Sequence, residues 1–372
     1  MARMLQTPLL SILSLTKLRL YPRRKWCGSN IPWFHVVSPM TSNSVIGPKL
    51  TNSHTDSSNL NGVPLTDYEV DSFLSDTLHM KNTYHGLMQD RLTFLNEVLK
   101  RFKLSMPGNN LTAISFCTNE NLGEDEEAIL QQLKQDILSL HGGQCYWFGL
   151  FLHALLRRLG YDAQLVGAGD RVYDAMFDMH PAIIVRDLSY DGSLHLIESS
   201  PTYPIFEIIP LAFDKRQCVY SLSNGKQKFI KGGKGIVKYC QKIERGGLPR
   251  SSLSEVIEED GNLWEVYVTY RYNTVRSVSH FVELVYFFRS APRLGAFFHK
   301  NLLINGFSRG NWVTIVNRQV TVTGVDGIQI DTWKVSSMDK MPHVVVKYFP
   351  QYPLKFVEKC ITHIENSRLY MQ

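Results

Sequence analysis

The stretch His141-Gly142-Gly143-Gln144-Cys145 is followed by apolar residues at helical spacing from Phe148 to Leu159, and Gly160 then closes the pattern. Cys145 is therefore predicted to lie in the first turn of a helix. Unpaired backbone N–H groups and the positive end of the helix dipole stabilise a thiolate there, and the thiolate is the nucleophilic form of cysteine. The two glycines lack a Cβ and would let a substrate carbonyl approach the backbone. The alternative is that Cys145 is a packing residue, since free cysteines are often buried.

The composition is that of an ordinary globular protein. The 372 residues suffice for two or three domains, with 44% apolar and 20% charged residues. No apolar run approaches the roughly 18 residues of a membrane-spanning helix, so we expect no membrane partner. The formal net charge of +6 comes from scattered residues. It suits a small negatively charged ligand, whereas nucleic-acid binding usually leaves a concentrated basic stripe, so we expect no nucleic-acid partner.

The cysteines are spread over the whole chain, and no two of them form a C-x-x-C pair. This spacing weakens both a structural zinc site and a disulfide framework. We therefore expect no metal and reduced thiols in an intracellular compartment. The six cysteines are Cys27, Cys117, Cys145, Cys218, Cys240 and Cys360.

The amino-terminal segment is basic and has no acidic residue before Asp56. An Arg-containing, acid-free start is typical of a mitochondrial transit peptide, although an untargeted extension fits equally well. Leu9–Leu15 could instead be a short signal-peptide core, but it lacks a convincing small-residue cleavage site. Residues 40 to 64 are rich in Ser, Thr, Asn, Gly and Pro, which is typical of a linker. We expect a cytoplasmic protein, or a mitochondrial one if the extension is a transit peptide.

The hydrophobic period divides the rest of the chain. Stripes at Leu92–Phe102 and Ile129–Leu140 predict amphipathic helices within residues 65–160, separated by a break at Pro107–Asn110. From residue 161 to 272 short apolar runs predict strands, with a turn at Ser189–Gly192. These strand predictions are 163–166, 182–185, 194–197, 219–222, 229–230 and 264–270.

Glycine and lysine alternate between two of these strands, from Lys231 to Gly235. Such a segment could contact a phosphate, but it lacks the spacing of a phosphate-binding loop. An exposed hairpin tip is the preferred interpretation.

The last segment, 273–372, mixes helices and strands. Residues 274 to 300 predict helix, and Leu354–Ile364 predicts a final amphipathic helix after Pro353. The strand predictions between them are 302–304, 312–316, 319–323, 328–330 and 344–348.

A nucleophilic thiol needs a base, and the base needs an orienting partner; these groups are neighbours in space rather than in sequence. His153 lies too far along the helix axis to reach Cys145. His180 opens a predicted strand, and Glu198 ends the strand that returns through the turn, so both lie at the open end of one hairpin. The alternative is a strand-end histidine bonded to a backbone carbonyl and a charge at the rim of a sheet.

These residues resemble the motifs of the arylamine N-acetyltransferases. The family nucleophile motif R-G-G-x-C, followed by a leucine-rich stretch ending in L-G-[YF], is similar to His141–Cys145 and Leu159-Gly160-Tyr161. The family histidine begins a strand and its aspartate ends the next one in L-V-D, as His180 and Leu196-Ile197-Glu198 do here. Ile114–Leu122 resembles the family segment I-P-F-E-N-L in looser form, and 302–323 resembles the strands of its third domain.

The resemblance implies an α+β fold of a helical bundle, a β-barrel and an α/β lid, with a papain-like arrangement of cysteine, histidine and acid. It also implies ping-pong transfer of an acetyl group from acetyl-CoA, as co-substrate, through a cysteinyl thioester to an arylamine, hydrazine or arylhydroxylamine. Cys145 would be the nucleophile, His180 the base and Glu198 its orienting acid.

The sequence departs from the family pattern at three places. His141 stands where the family has an arginine. Glu198 stands where it has an aspartate, and the hairpin before it is longer. Ser199–Pro204 replaces the Gly-Phe-Gly loop that the family has after the acid. Two alternatives follow. One is a cysteine hydrolase or a transglutaminase-like enzyme with the same three residues, and the other is a non-catalytic descendant that binds a ligand.

Overall fold

The computed structural model describes residues 62–369, apart from positions 82, 120–124, 170–177, 203, 213–217, 223–224, 233–234, 242–255, 260, 291–295 and 325–326. Residues Asp56–Gln372 form one compact unit. The predicted transit peptide and most of the predicted linker lie outside the described residues.

The amino-terminal third of this unit is helical, as the stripes predict. Side chains cap several helices: Thr66 and Glu69 form a capping box, and Asp90 and Asp125 each accept a hydrogen bond from a first-turn N–H group. The helices are α1 Asp67–Ser72, continued by one π-helical turn at Phe73–Thr77, α2 Thr83–Gln89, α3 Arg91–Ser105, α4 Leu111–Thr118, α5 Glu126–Leu138 and α6 Cys145–Arg158. Gly160 follows α6 at φ +75°, which confirms the predicted helix end.

The strands predicted between residues 161 and 272 belong to one antiparallel sheet. Its strands are β2 Ala163–Gly169, β3 His180–Arg186, β4 Leu194–Glu198, β5 Ile209–Pro210, β6 Cys218–Leu222, β7 Gly225–Gly232, β8 Gly235–Gln241, β9 Val256–Glu259 and β10 Asn262–Val275. They follow the order β5-β4-β3-β2-β10-β8-β7-β6, with β9 also paired to β10. Gly232 pairs with Gly235, as the predicted hairpin tip requires.

The sheet predicted as a β-barrel is a curled half-barrel. Among the described strands β5 and β6 end the ladder and do not pair with each other. Side chains on both faces of β2, β3 and β4 are buried. One face packs on the helices through Leu165, Ile183 and Ile197. The concave face packs on residues of the sheet itself, among them Phe229 and Tyr270.

A second sheet follows helix α7 Val278–Ser290 and helix α8 Ala296–Lys300. It consists of β11 Leu303–Ser308, β12 Asn311–Val316, β13 Gln319–Thr323 and β14 Gln329–Lys334, and is joined at its edge by β1 Gly108–Asn109 from between α3 and α4. Helix α9 Met341–Tyr348 and helix α10 Leu354–Leu369 pack against it. Because β1 lies between α3 and α4, its pairing with β11 connects the second sheet to the helical part of the chain.

The predicted strand at 344–348 is wrong, since these residues belong to α9. Three adjacent valines favour a strand by propensity. Pro342 in the first turn favours a helix start, and Met341, Val345 and Phe349 are buried at four-residue spacing whereas Val344 and Val346 are less so. The helical period of burial therefore overrides the propensity. Each of the other predicted strands overlaps an observed strand.

Two properties of the described residues bear on function. No described helix has the length and apolarity needed to cross a membrane. Within the same residues, no three His, Cys, Asp or Glu side chains are grouped in a way that could hold a metal ion.

Candidate active site

The nucleophile motif forms a tight turn into α6. Gly142 has a φ angle of +66°, and a Cβ on it would lie 2.0 Å from the carbonyl oxygen of Pro107. Gly143 has a φ angle of +155°, and a Cβ on it would lie 2.5 Å from Trp147 Cγ. The glycines are therefore required by the backbone conformation and by this close approach, a reason that the sequence did not reveal. The N–H of Gly143 donates to Pro107 O at 3.2 Å, and its carbonyl accepts from the N–H of Asn109 at 3.0 Å.

Cys145 is the first residue of α6, as predicted, and is half-buried. The helix lies against β3 at a place where there is no room for another side chain. A Cβ on Gly149, one helical turn after Cys145, would lie 2.8 Å from Pro181 Cγ. This contact brings the start of α6 to the strand that begins at His180. Sequence reasoning missed it, although a glycine inside an apolar helix and a proline inside a strand were its visible signals.

His180 and Glu198 meet at the open end of the β3–β4 hairpin. In the observed register Glu198 pairs with Ala182, so His180 is its diagonal neighbour on the same face. His180 Nε2 lies 3.2 Å from Glu198 Oε1. A diagonal pair is farther apart than a direct one, and the extra methylene of glutamate helps to cover the distance. The Glu198 side chain is 1% exposed and that of His180 is 17% exposed.

The electrostatics of His180 connect it to both partners. Burial lowers the pKa of His180, but the negative charge of Cys145, a hydrogen bond with Cys145, and the hydrogen bond and charge of Glu198 outweigh it and raise the pKa to about 9. With Nε2 directed to Glu198, the other ring nitrogen is left for the sulfur. The arrangement can hold a thiolate–imidazolium pair, the form of cysteine that attacks carbonyl carbon.

The His141 side chain packs among aromatic residues. Its ring stacks on Tyr352 and Phe356, with centroids 5.7 and 5.3 Å away, and its Nδ1 lies 3.9 Å from Asp136 Oδ1. Its carbonyl accepts hydrogen bonds from Asn109 Nδ2 at 2.7 Å and from the Tyr352 hydroxyl at 2.8 Å. At this position the side chain joins the turn to α10.

The first two residues after the acid, Ser199 and Ser200, are buried and hydrogen-bonded. The N–H of Ser200 donates to Glu198 Oε1 at 2.7 Å, and the Ser199 hydroxyl donates to the carbonyl of Pro181. Lys103 on α3 donates to the carbonyl of Glu198 at 2.9 Å and to that of Ser200 at 3.0 Å. Sequence reasoning missed Lys103, because a lysine inside an amphipathic helix normally faces solvent. Tyr203 lies outside the described residues.

The segment Ile114–Leu122 lies partly in α4, and its residues 120–122 are outside the described part of the chain. Phe116 and Cys117 from α4 line an apolar cavity together with Gln144 and Tyr146, the two neighbours of Cys145 in sequence, and with Trp147 and His299. The cavity therefore lies beside the first turn of α6.

Solved arylamine N-acetyltransferases have the same fold. The enzyme from Salmonella typhimurium matches with a TM-score of 0.59 at 14% identity, over 80% of this chain and 99% of that one. The Mycobacterium marinum enzyme in complex with CoA gives a TM-score of 0.58 at 12% identity, over 78% and 97%. Arylamine N-acetyltransferase C of Bacillus anthracis gives 0.54 at 14% identity, over 77% and 100%.

These matches confirm the resemblance drawn from the motifs, at the level of the fold. No protein-family model matches the chain, and no curated protein matches its sequence. The identities of 12 to 14% in these three matches carry the architecture and leave the chemistry to be argued from the site.

Proposed function

We propose that this chain, which has the fold of arylamine N-acetyltransferases, is an N-acyltransferase that uses acetyl-CoA as its co-substrate. Cys145 is the nucleophile, His180 the base and Glu198 the group that orients His180. The observation that carries the proposal is the contact set at His180. Its Nε2 lies 3.2 Å from a carboxylate buried to 1% exposure, and its pKa is raised by the sulfur of Cys145.

The first half-reaction acylates the cysteine. The Cys145 thiolate attacks the carbonyl carbon of the thioester, the bond between that carbon and the sulfur of coenzyme A breaks, and coenzyme A leaves as a thiol with the proton from His180. The negative charge on the carbonyl oxygen forms beside the N–H groups at the start of α6, which stabilise it.

The second half-reaction transfers the acetyl group to an amine. The amine nitrogen attacks the thioester carbon and loses its proton to His180, and Cys145 leaves as the thiolate. Glu198 holds the imidazole orientation in both halves. Acetyl-CoA is proposed because a solved neighbour of the same fold is a complex with CoA. An arylamine, hydrazine or arylhydroxylamine acceptor follows from the motif resemblance.

Two other functions remain as outcomes of the test. A cysteine hydrolase or transglutaminase-like enzyme would use the same three residues on an amide. A non-catalytic descendant would keep the fold and bind a ligand; the replacement of the Gly-Phe-Gly loop by Ser199–Pro204 is the feature that favours it.

The deciding experiment is an intact-mass measurement after incubation with acetyl-CoA. We expect one added acetyl group, located on Cys145 by peptide mapping, and its loss when an arylamine or hydrazine is added. Cys145→Ser should not become labelled. Cys117→Ser is the matched control, because Cys117 is also half-buried near the start of α6 and should not be needed for labelling.

Each outcome decides between the proposals. An acetyl group retained in Cys145→Ser removes Cys145 as the nucleophile. A wild-type protein that acetyl-CoA leaves unlabelled while Cys145 is alkylated rapidly by iodoacetamide at pH 7 favours the hydrolase. If Cys145 is also alkylated no faster than an ordinary exposed thiol, the non-catalytic alternative gains.

A further inference from the structure

Lys103 is a buried lysine that the proposed reaction does not use directly. It lies on the inward face of α3 and is 2% exposed. Its Nζ donates to the carbonyl oxygens of Glu198 and Ser200 at 2.9 and 3.0 Å, and the Phe148 ring centroid is 5.6 Å from the same nitrogen. A buried ammonium is costly to desolvate, so its place at this site calls for a reason.

The two carbonyls belong to the turn that holds the acid. Ser200 follows Glu198 by two positions, and its N–H donates to Glu198 Oε1 at 2.7 Å. Its hydroxyl shares a hydrogen bond of 2.9 Å with the Tyr267 hydroxyl. The orientation of the carboxylate therefore depends on the position of the Ser200 backbone. Lys103 bonds to the carbonyl groups at both ends of this three-residue turn, and Tyr267 bonds to the side chain of Ser200.

Charged side chains lie close together at this turn. The Lys103 ammonium and the Glu198 carboxylate are almost fully buried, and Glu198 Oε1 lies 3.2 Å from Nε2 of the His180 imidazolium. In a medium of low dielectric constant such charges stabilise one another more than they do in water. The other titratable groups beside these side chains, in the described part of the chain, include Cys145, Tyr146, Tyr267 and Tyr270.

We propose that Lys103 is a positioning residue for the active site: it fixes the backbone of Glu198 and Ser200 and neutralises the buried carboxylate, so that Glu198 stays ionised and aimed at His180. Lys103 does not touch substrate and acts through Glu198. This assignment uses the roles given to Cys145, His180 and Glu198 in the proposed function. Through these bonds Lys103 supports the acid from another element, α3, at the place where the family's Gly-Phe-Gly loop is replaced.

A purely structural role is the competing explanation, and the chain offers a matched control. Lys134 is likewise a helical lysine, 7% exposed, and its Nζ donates to the carbonyl of Pro64 at 3.0 Å and pairs with Glu69 at 2.8 Å. Replacing Lys134 with methionine also removes a buried ammonium group, but one that is not bonded to the turn at Glu198. Both substitutions should lower stability, but only the one at Lys103 should change the chemistry of Cys145.

The test measures the rate at which iodoacetamide alkylates Cys145, by peptide mapping from pH 5 to 10, with Cys117 in the same sample as the reference thiol. In Lys103→Met we expect a rate at pH 7 lower by about 10- to 100-fold, the worth of one or two hydrogen bonds to a charged group, and a profile midpoint at higher pH. Lys103→Arg should recover part of the rate, and Lys134→Met should keep the wild-type profile.

A double substitution adds a second readout. If Lys103 acts through Glu198, Lys103→Met combined with Glu198→Gln should be no slower than Glu198→Gln alone. Where Lys103→Met does not fold, Lys103→Gln carries the same expectations, because its amide can still donate to one carbonyl but has no charge. A wild-type alkylation profile in a folded Lys103 variant, or fully additive effects in the double variant, overturns the proposal.

This readout is independent of acetyl transfer. If acetyl-CoA does not label the protein, the proposed function fails. The alkylation profile still shows whether Lys103 supports the Cys145–His180–Glu198 set.

Discussion

His180 is the residue at which the charges of the site meet. Burial alone lowers the pKa of this imidazole, yet the sulfur of Cys145 and the carboxylate of Glu198 raise it from the ordinary 6.5 to about 9. At pH 7 the ring therefore carries a proton. Because the folded pKa exceeds the unfolded one, the contacts of the charged ring contribute stability that is fully present below pH 6.5 and is lost as the pH rises through 9.

We predict that the imidazole of His180 titrates with a midpoint near pH 9 and that Cys145→Ala lowers this midpoint, because the largest raising contribution comes from Cys145. The measurement is an NMR titration of the ring protons, with the His180 signal assigned by its loss in His180→Gln. The same comparison by urea unfolding should show that Cys145→Ala reduces the loss of stability between pH 6.5 and 9.

His153 on the same helix provides the internal control for this titration. Burial lowers the pKa of His153 to about 4, and its midpoint should not move in Cys145→Ala. Equal His180 midpoints in the wild type and in Cys145→Ala would mean that the sulfur carries no charge near the ring.

At the scale of elements, the sequence predicts what local rules control. The helix start at Cys145 follows from the glycines and the apolar period, and the meeting of His180 with Glu198 follows from the geometry of one hairpin. Packing between distant elements has no such local signal. The bond from Lys103 to Glu198 joins residues 95 positions apart. The valines of α9 were likewise misassigned, since their conformation depends on which face the second sheet buries.

The contact of α6 with β3 leads to a prediction at Gly149. We expect Gly149→Ala to slow the alkylation and the acetylation of Cys145 by about 100-fold, the scale of a misplacement of roughly 1 Å. The added Cβ would lie 2.8 and 2.9 Å from Pro181 Cγ and Cβ, so the helix must move away from the strand that carries His180. Rates are measured for both reactions at pH 7, together with thermal unfolding.

The helix itself cannot explain a loss of this kind. Alanine stabilises a helix interior by roughly 1 kcal/mol relative to glycine. The substitution should therefore stabilise α6, and a slower reaction of Cys145 cannot be caused by a weakened helix. Adding Pro181→Gly removes both ring atoms that the new Cβ meets, and should restore part of the reactivity. An unchanged rate in Gly149→Ala would show that the separation of α6 and β3 does not control the site.

At the scale of the whole molecule, the described residues form three hydrophobic cores, and Cys145 packs against the helical one. The helical core and the core of the half-barrel lie on opposite faces of β2–β4. The third core, between the second sheet and helices α9 and α10, includes Tyr352. Its hydroxyl donates to the carbonyl of His141 at 2.8 Å, one residue before the two glycines. The third core is therefore linked to the turn that presents Cys145.

Tyr352→Phe tests whether this link matters for the chemistry. Burial raises the pKa of Tyr352, so the hydroxyl keeps the proton that it donates. Its loss should cost about 1 kcal/mol of unfolding free energy and slow the alkylation of Cys145 by about 2- to 10-fold. The effect is no larger because Asn109 Nδ2 still donates to the same carbonyl at 2.7 Å. Tyr68→Phe, at a side chain 80% exposed, is the control and should change neither quantity. If Tyr352→Phe lowers stability and leaves the alkylation rate at the wild-type value, the third core supports the fold without positioning the nucleophile.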